Sequence, residues 1–162
     1  MRRFISLLIV LAAGAGFLAW WFSPGQVVKR RTRDLMEVLT LNVATPTGTR
    51  NFGTFKLEQL LAPKIEFSVP SMADLNGSHD RADVTSGFSI LCSNAKETKF
   101  KVKDLHSVTV NGNKATVNAS LEILVDLKSA QAVDETGESI LHWTKTEDGW
   151  RLDGADWMPA KK

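Results

Sequence analysis

The stretch from Ala115 to Leu127 carries an apolar residue at every second position. Successive side chains of a β-strand point to opposite faces of the sheet, so this period of two predicts a strand with one entirely apolar face. Such a strand belongs in the middle of a sheet whose apolar face is covered by other parts of the chain. We therefore expect the fold to be built around this strand.

Two short turn motifs predict further strands beside the central one. Asn111-Gly112-Asn113 directly precedes it, and Asp148-Gly149 lies near the end of the chain. Asn-Gly and Asp-Gly are strong signals for β-hairpins. The second half of the sequence therefore predicts an antiparallel meander of four strands, over residues 99–110, 115–127, 138–146 and 150–157.

The residues before the meander have helical spacing. From Val28 to Val43, apolar or semi-apolar residues recur at intervals of three and four, which predicts a first amphipathic helix. A short second helix over Phe55–Leu61 must end before Pro63. Residues 65–69 alternate and predict a strand.

A third helix is expected after a turn at Asn76-Gly77-Ser78. Its apolar stripe runs from Val84 to Ala95 and includes Cys92, which we interpret as an inert packing residue. Helices followed by an antiparallel meander indicate the α+β class.

The N-terminus contains a membrane-segment candidate. Phe4 to Phe22 is a run of 19 residues without a charged side chain, preceded by Met1-Arg2-Arg3. As a helix it would be about 28 Å long, close to the thickness of the bilayer interior. Trp20-Trp21-Phe22 would then lie at the membrane interface, before the helix-ending Ser23-Pro24-Gly25.

A cleaved secretory signal is the alternative, because Ala13-Gly14-Ala15 offers a cleavage site. Cleavage after Ala15 would leave a very apolar new N-terminus, so we favour a retained anchor. The expected organisation is a transmembrane helix in residues 1–25 and one domain in residues 26–162. The orientation in the membrane has two interpretations. More basic residues follow the apolar segment than precede it, and a literal positive-inside count would therefore leave the domain in the cytoplasm. The short leader favours the opposite orientation, a single-pass protein of the cell membrane with an extracytoplasmic domain.

Charge and cysteine content exclude several classes of protein. Without Arg2 and Arg3, 18 of the 20 basic residues remain, against 18 acidic ones, so the domain lacks the excess positive charge of a nucleic-acid-binding protein. The single cysteine allows neither an intrachain disulfide nor a cysteine-based zinc site. No phosphate-binding loop or metal-ligand spacing is present, so we expect no cofactor and no metal.

The order of the elements and two sequence phrases resemble a known superfamily. The phrases are Val110-Asn111-Gly112-Asn113-Lys114-Ala115-Thr116-Val117 and Trp143-Thr144-Lys145-Thr146-Glu147-Asp148-Gly149-Trp150-Arg151-Leu152. They resemble the SnoaL-like, nuclear-transport-factor-2-like superfamily over residues 27–157. The resemblance implies a cone-shaped roll of three helices packed on a curved antiparallel sheet. It does not imply one function, because that fold serves enzymes, ligand carriers and protein-docking modules.

Enzymes of this superfamily place an Asp or a His in the cavity between helices and sheet, and the strand over residues 99–110 offers both. In a regular strand, Asp104 and His106 would share the apolar face of Phe100 and Val108, where they could transfer a proton. A β-bulge near Leu105 would instead bury Leu105 and expose both groups.

Aromatic residues in the last two strands are further candidates. His142, Trp143 and Trp157 are candidates for a ligand pocket or an interface. We expect Leu124 and either Leu141 or its neighbours to point outward, and Trp157 to line either a cavity mouth or this face. The sheet would then have an apolar outer face suited to a homodimer or to another partner protein.

Two functions follow from these observations. The first is a membrane-anchored, non-catalytic roll domain that binds a partner protein or a small apolar ligand. The second is a SnoaL-like isomerase, dehydratase or cyclase that acts by proton transfer on a small hydrophobic substrate, with Asp104 or His106 as the base.

Overall fold

The computed structural model describes residue 18 and residues 20–43, 47–70 and 72–160. Within these residues lie three longer helices, a short 3₁₀ turn and one six-stranded sheet. The helices are α1 (Pro24–Leu39), α2 (Thr47–Glu58) and α3 (Arg81–Asn94). The strands are β1 (Leu61–Ser68), β2 (Gly77–Asp80), β3 (Ala95–Asn111), β4 (Lys114–Leu127), β5 (Val133–Thr146) and β6 (Gly149–Pro159).

The strands are arranged in the order β2-β1-β6-β5-β4-β3. β3 to β6 form the predicted antiparallel meander, and β1 adds to β6 in parallel. Three helices on one mixed, largely antiparallel sheet confirm the α+β class. The prediction of a turn over Asn76-Gly77-Ser78 was wrong in its bounds, because Gly77 and Ser78 already pair with β1 as part of β2.

Both predicted hairpins are present, and each uses a glycine in the left-handed region. Gly112 has φ +60° between β3 and β4, and Gly149 has φ +105° between β5 and β6. Side chains other than glycine rarely adopt these angles, so the two glycines allow the tight reversals.

The core lies between the helices and the face of the sheet that we call the inner face. On β4 the predicted apolar face is buried from Ala115 to Leu121, with Val117 and Ala119 fully inaccessible. The helices cover this face with one buried stripe each on α1 and α3. Val28, Leu35 and Met36 form the stripe of α1, as the spacing predicted, whereas Val43 lies beyond the helix and is exposed.

The second helix differs from its prediction. It begins at Thr47 and ends at Glu58, and Leu61 is the first residue of β1 rather than part of the helix. The cause is tertiary, because Leu61 pairs with Leu152 of β6 and the Leu152 N–H donates to the carbonyl of Leu60. Strand pairing therefore competes successfully with helix propensity at this point.

The predicted membrane segment, Phe4 to Phe22, lies mostly outside the described residues. Leu18 and Trp20-Trp21-Phe22 are described, and all of them are exposed. The Arg30 guanidinium lies 4.7 Å from the centre of a Trp21 ring and donates to the Trp21 carbonyl at 2.9 Å. No helix within the described part of the chain is both long and apolar enough to cross a bilayer.

Candidate functional site

Two β-bulges in β3 decide where its ionisable side chains point. Val102 pairs with Leu121, Asp104 with Ser120, Leu105 with Ala119, and Ser107 with Asn118, so Lys103 and His106 are the extra residues. Bulges redirect side chains in this way in curved sheets. Leu105 consequently packs against the core, while Asp104 and His106 lie on the outer face of the sheet.

The bulge interpretation of this strand is therefore the correct one. The two groups do not lie between the helices and the sheet, where a regular strand would have placed them. Their side chains are 71% and 42% exposed, for Asp104 and His106 respectively.

His106 is the centre of a small polar cluster on the outer face, formed by Asp104, His106, Ser120 and Glu138. The imidazole Nε2 lies 2.8 Å from Ser120 Oγ and 3.0 Å from Glu138 Oε2. Ser120 Oγ donates to the other oxygen of Glu138 at 2.7 Å, and Asp104 Oδ2 lies 3.6 Å from His106 Nδ1. We call these four residues the outer-face cluster.

The electrostatics of the outer-face cluster are centred on Glu138. Its pKa is lowered, first by the hydrogen bond from Ser120 and then by the hydrogen bond and charge of His106, while partial desolvation opposes both effects. The ionised carboxylate is thus the favoured form.

The Ser120 hydroxyl donates its hydrogen bond to this carboxylate, so it is not arranged as a nucleophile that His106 activates. The outer-face cluster is suited to forming hydrogen bonds with a polar group of another molecule at this surface.

Sequence reasoning identified Asp104 and His106 but missed Ser120 and Glu138. Both occupy outward positions of their strands, opposite each other in the β4–β5 register. Ser120 follows Ala119, which the spacing of the strand predicts to be buried, so Ser120 is expected to point outward. This signal could have placed the Ser120 side chain beside an outward residue of β3. Glu138 could not be found in this way, because its contact depends on the bulge that redirects His106.

The remaining candidate residues lie on different faces. His142 is on the outer face, with Nε2 3.1 Å from Asp156 Oδ2, and its ring packs over Gly154. Trp143 is completely buried in the core, and no hydrogen-bond partner for its Nε1 occurs in the described part of the chain. Trp157 is half-buried, packs against the core and lies against Gly137. His142 and Trp143 line one groove together, and Trp157 is not part of it.

Leu141 and Trp157 do not point outward, whereas Ile140, a neighbour of Leu141, does. Leu141 is buried in the core, 3% exposed, and pairs with the inward Val117. In β6, a register shift between Leu152 and Gly154 adds one residue and turns Trp157 toward the core. Leu124 and Ile140 are the predicted apolar residues that lie on the outer face.

The core between the helices and the sheet is apolar, and its residues are buried except along the open margin between α1 and β3. Among the described residues, those that are buried include no acidic, basic or histidine side chain, and the polar ones are Thr32, Thr98 and Ser139. The hydroxyl of Thr98 already has a hydrogen-bond partner, because it donates to the Leu39 carbonyl at 2.6 Å. The interior thus offers no evident group for acid–base chemistry.

Three open grooves lie at the surface of the described residues. One of about 490 Å³ lies between α1 and α2, and another of about 550 Å³ lies between α1 and β3. A third, on the outer face, lies beside His142 and Asp156. Within the described ranges, no group of three or more His, Cys, Asp or Glu side chains is arranged to hold a metal ion.

Solved structures are similar to this architecture. A nuclear-transport-factor-2-like protein from Cytophaga hutchinsonii matches with a TM-score of 0.65 and 14% identity, over 86% of this chain and 100% of that one. A proposed dehydratase of the same family from Streptomyces avermitilis matches with a TM-score of 0.61 and 18% identity, over 83% and 94% of the two chains. The chain has the nuclear-transport-factor-2-like fold.

A third similar structure is that of a proposed scytalone dehydratase from Novosphingobium aromaticivorans, with a TM-score of 0.63 and 13% identity, over 83% of this chain and 82% of that one. No protein-family model matches the sequence, and no curated protein matches it. At such low identities, the likeness to the three structures concerns the fold alone.

Proposed function

We propose that this chain is a non-catalytic roll domain, held at the cell membrane by its apolar N-terminal segment, that binds a small apolar ligand or a partner protein at its surface. The observation that carries the proposal is that the buried residues among those described include no ionisable side chain, together with the outward position of Asp104 and His106. A catalytic roll needs several convergent polar groups around its substrate. The surface grooves and the outer face of the sheet remain as places for binding.

The proposed membrane location is supported at the domain's N-terminus. Trp20, Trp21 and Phe22 are exposed, and the basic side chain of Arg30 stacks on Trp21. Aromatic residues flanked by basic ones are typical of a membrane interface. We expect the domain to lie outside the cytoplasm.

Flotation with lipid vesicles after expression tests the location. The full chain is expected to float and to resist extraction at high pH, and a chain that begins at Pro24 is expected to remain in the soluble fraction. Recovery of the full chain in the soluble fraction would contradict the anchor.

An assay with a membrane-lipid and metabolite extract tests binding against catalysis. The full chain, in nanodiscs, is incubated with the extract, and mass spectrometry follows both the bound species and the composition of the extract over time. We expect a bound species and an unchanged extract.

The second candidate function is a dehydratase or isomerase that acts on a small hydrophobic substrate. The similar structures described as proposed dehydratases support it. Its base would be His106 or Asp104, acting on the outer face of the sheet. In the same assay, a product that accumulates with the native chain and is absent with both Asp104→Asn and His106→Asn would favour this function over the first.

A further inference from the structure

The groove between α1 and β3 combines an apolar floor with a positively charged rim. Met36 of α1 and Phe100, Val102 and Leu105 of β3 form the floor. The three β3 residues are only half-buried, so their apolar surface remains accessible from the groove. A volume of about 550 Å³ lies within the range of small-molecule sites, which is about 300–1,000 Å³.

One end of this groove is closed by hydrogen bonds. The Thr40 hydroxyl donates to the Met36 carbonyl at 2.8 Å and accepts from the Phe100 N–H at 3.0 Å. Leu41 and Thr98 add two backbone hydrogen bonds beside it. The groove therefore runs from this fixed junction toward the N-terminal half of α1.

The rim of the groove is cationic. Lys29, Arg33 and Lys101 line it, against the single carboxylate of Glu37. Among the described residues, the ion pairs include neither Lys29 nor Arg33. Lys101 lies opposite Glu122 in the β3–β4 register, and its charge helps to lower the pKa of that carboxyl. The other charged cross-strand pairs of β3, Lys96–Asp126 and Lys99–Glu122, are by contrast closed at 3.2 and 3.1 Å. The rim thus has positive charge to offer to an anion.

One residue of the groove lining carries a buried hydroxyl without a partner. Thr32 lines the groove, is 2% exposed, and its Oγ1 has no hydrogen-bond partner among the described residues. A buried polar group that lacks a partner is costly, and such exceptions require an explanation. An oxygen of a bound ligand would supply the missing partner.

We infer that this groove binds the carboxylate form of a single-chain fatty acid. The alkyl chain lies along Met36, Phe100, Val102 and Leu105, and the carboxylate lies at the open end, where Lys29 and Arg33 neutralise it and the Thr32 hydroxyl donates to one of its oxygens. This inference rests on the proposed function, since it names the class of small apolar ligand that a non-catalytic roll would hold.

The probe is a palmitate analogue with a diazirine in its chain. The full-length protein in phosphatidylcholine nanodiscs is irradiated with the probe, and the labelled peptides are identified by mass spectrometry. Labels are expected on peptides of α1 and β3 that line the groove, and unlabelled palmitate is expected to displace the probe. Hexadecanol, which has the same chain without a charge, should compete about tenfold less well.

Three variants distinguish recognition of the carboxylate head group from non-specific hydrophobic binding. Thr32→Val keeps the side-chain shape and removes the unpartnered hydroxyl, so it should not lower the melting temperature but should weaken binding about tenfold. Lys29→Gln combined with Arg33→Gln should weaken palmitate binding and leave hexadecanol unaffected. Lys103→Gln removes an exposed lysine of β3 that does not line the groove, and it serves as the matched control.

The inference is overturned if labels fall outside the groove, if hexadecanol competes as well as palmitate, or if Thr32→Val binds palmitate like the native chain. Stronger competition by hexadecyl phosphate would replace the carboxylate with a phosphate head group and would likewise overturn the assignment. None of these results affects the membrane flotation or the extract assay, so failure here is distinguishable from failure of the proposed function.

Discussion

The imidazole Nε2 of His106 lies 3.0 Å from Oε2 of Glu138, on the face of the sheet that points away from the helices. His106 is an extra residue of a β-bulge, and Glu138 lies two strands away, on β5. The contact therefore exists only because the bulge turns the imidazole outward. The bulges in β3 explain why Asp104 and His106 do not enter the interior.

The first prediction concerns the pKa of Glu138. Ser120→Ala removes the hydrogen bond that contributes most to lowering it, so the pKa should rise toward its ordinary value. Carbon-detected NMR titration of the Glu138 carboxyl measures the change. Glu122 is the internal control, because its own lowered pKa depends on Lys99 and should not move. An unchanged Glu138 titration would contradict the hydrogen-bonded cluster.

The same shift sets a direction for stability against pH. The folded-state pKa of Glu138 lies below its unfolded value, so its stabilising contribution is present above the unfolded pKa and is lost as the pH falls through the folded pKa. Glu138→Gln should therefore weaken the loss of stability on acidification, as followed by thermal melts across that range. Because the group is exposed, the effect should be small.

The second prediction tests the inner face of β4. Ala119→Asp places an unpaired charge at a fully buried position and should lower the free energy of unfolding by several kcal/mol. Thr116→Asp, on the outer face of the same strand, is the matched control and should cost less than about 1 kcal/mol. Chemical denaturation of both variants measures the difference. Equal costs would mean that the two faces of this strand are assigned wrongly.

The third prediction concerns the close approach of β5 and β6. A Cβ at Gly137 would lie 2.9 Å from both the Trp157 ring and Pro159 Cα, and closer still to the Met158 carbonyl. Gly137→Ala should therefore destabilise the domain by about 1–3 kcal/mol, because backbone atoms would have to shift. Gly87→Ala, at an open and exposed position of α3, should instead stabilise it by up to about 1 kcal/mol. A neutral Gly137→Ala would contradict the position of Trp157 against the sheet.

How much of this structure the sequence predicts depends on the regularity of each strand. The spacing from Ala115 to Leu121 predicted the central strand and its buried face, because a strand without bulges keeps its parity. The same rule failed at Trp157, since one extra residue near Asp153 reverses the face of everything that follows.

The candidate site was harder to predict than the fold. Asp104 and His106 could be placed on either face until the bulges were known, and Glu138 meets His106 only through pairing across three strands. The groove between α1 and β3 leaves no trace in the sequence pattern, because it depends on how far the helix stands from the strand. Local periodicity carries no information on such distances.

The fourth prediction concerns self-association. We expect a homodimer through the outer face of the sheet, where Leu124 lies, although Leu141 and Trp157 do not contribute to that face. Sedimentation velocity of the domain from Pro24 onward at micromolar concentration should show a dimer that Leu124→Lys dissociates. A monomer in both cases would remove the dimer and leave this face to a different partner protein.

The reactivity of Cys92 tests most directly whether the apolar core beneath α3 is closed to solvent. The thiol belongs to the buried stripe of α3 and is 2% exposed. Ellman's reagent should modify it in the folded protein more than about a hundredfold more slowly than in denaturant, since reaction requires the core to open. A rapid reaction of the folded protein would reveal a path for the reagent to Cys92, and would contradict the burial of the core beneath α3.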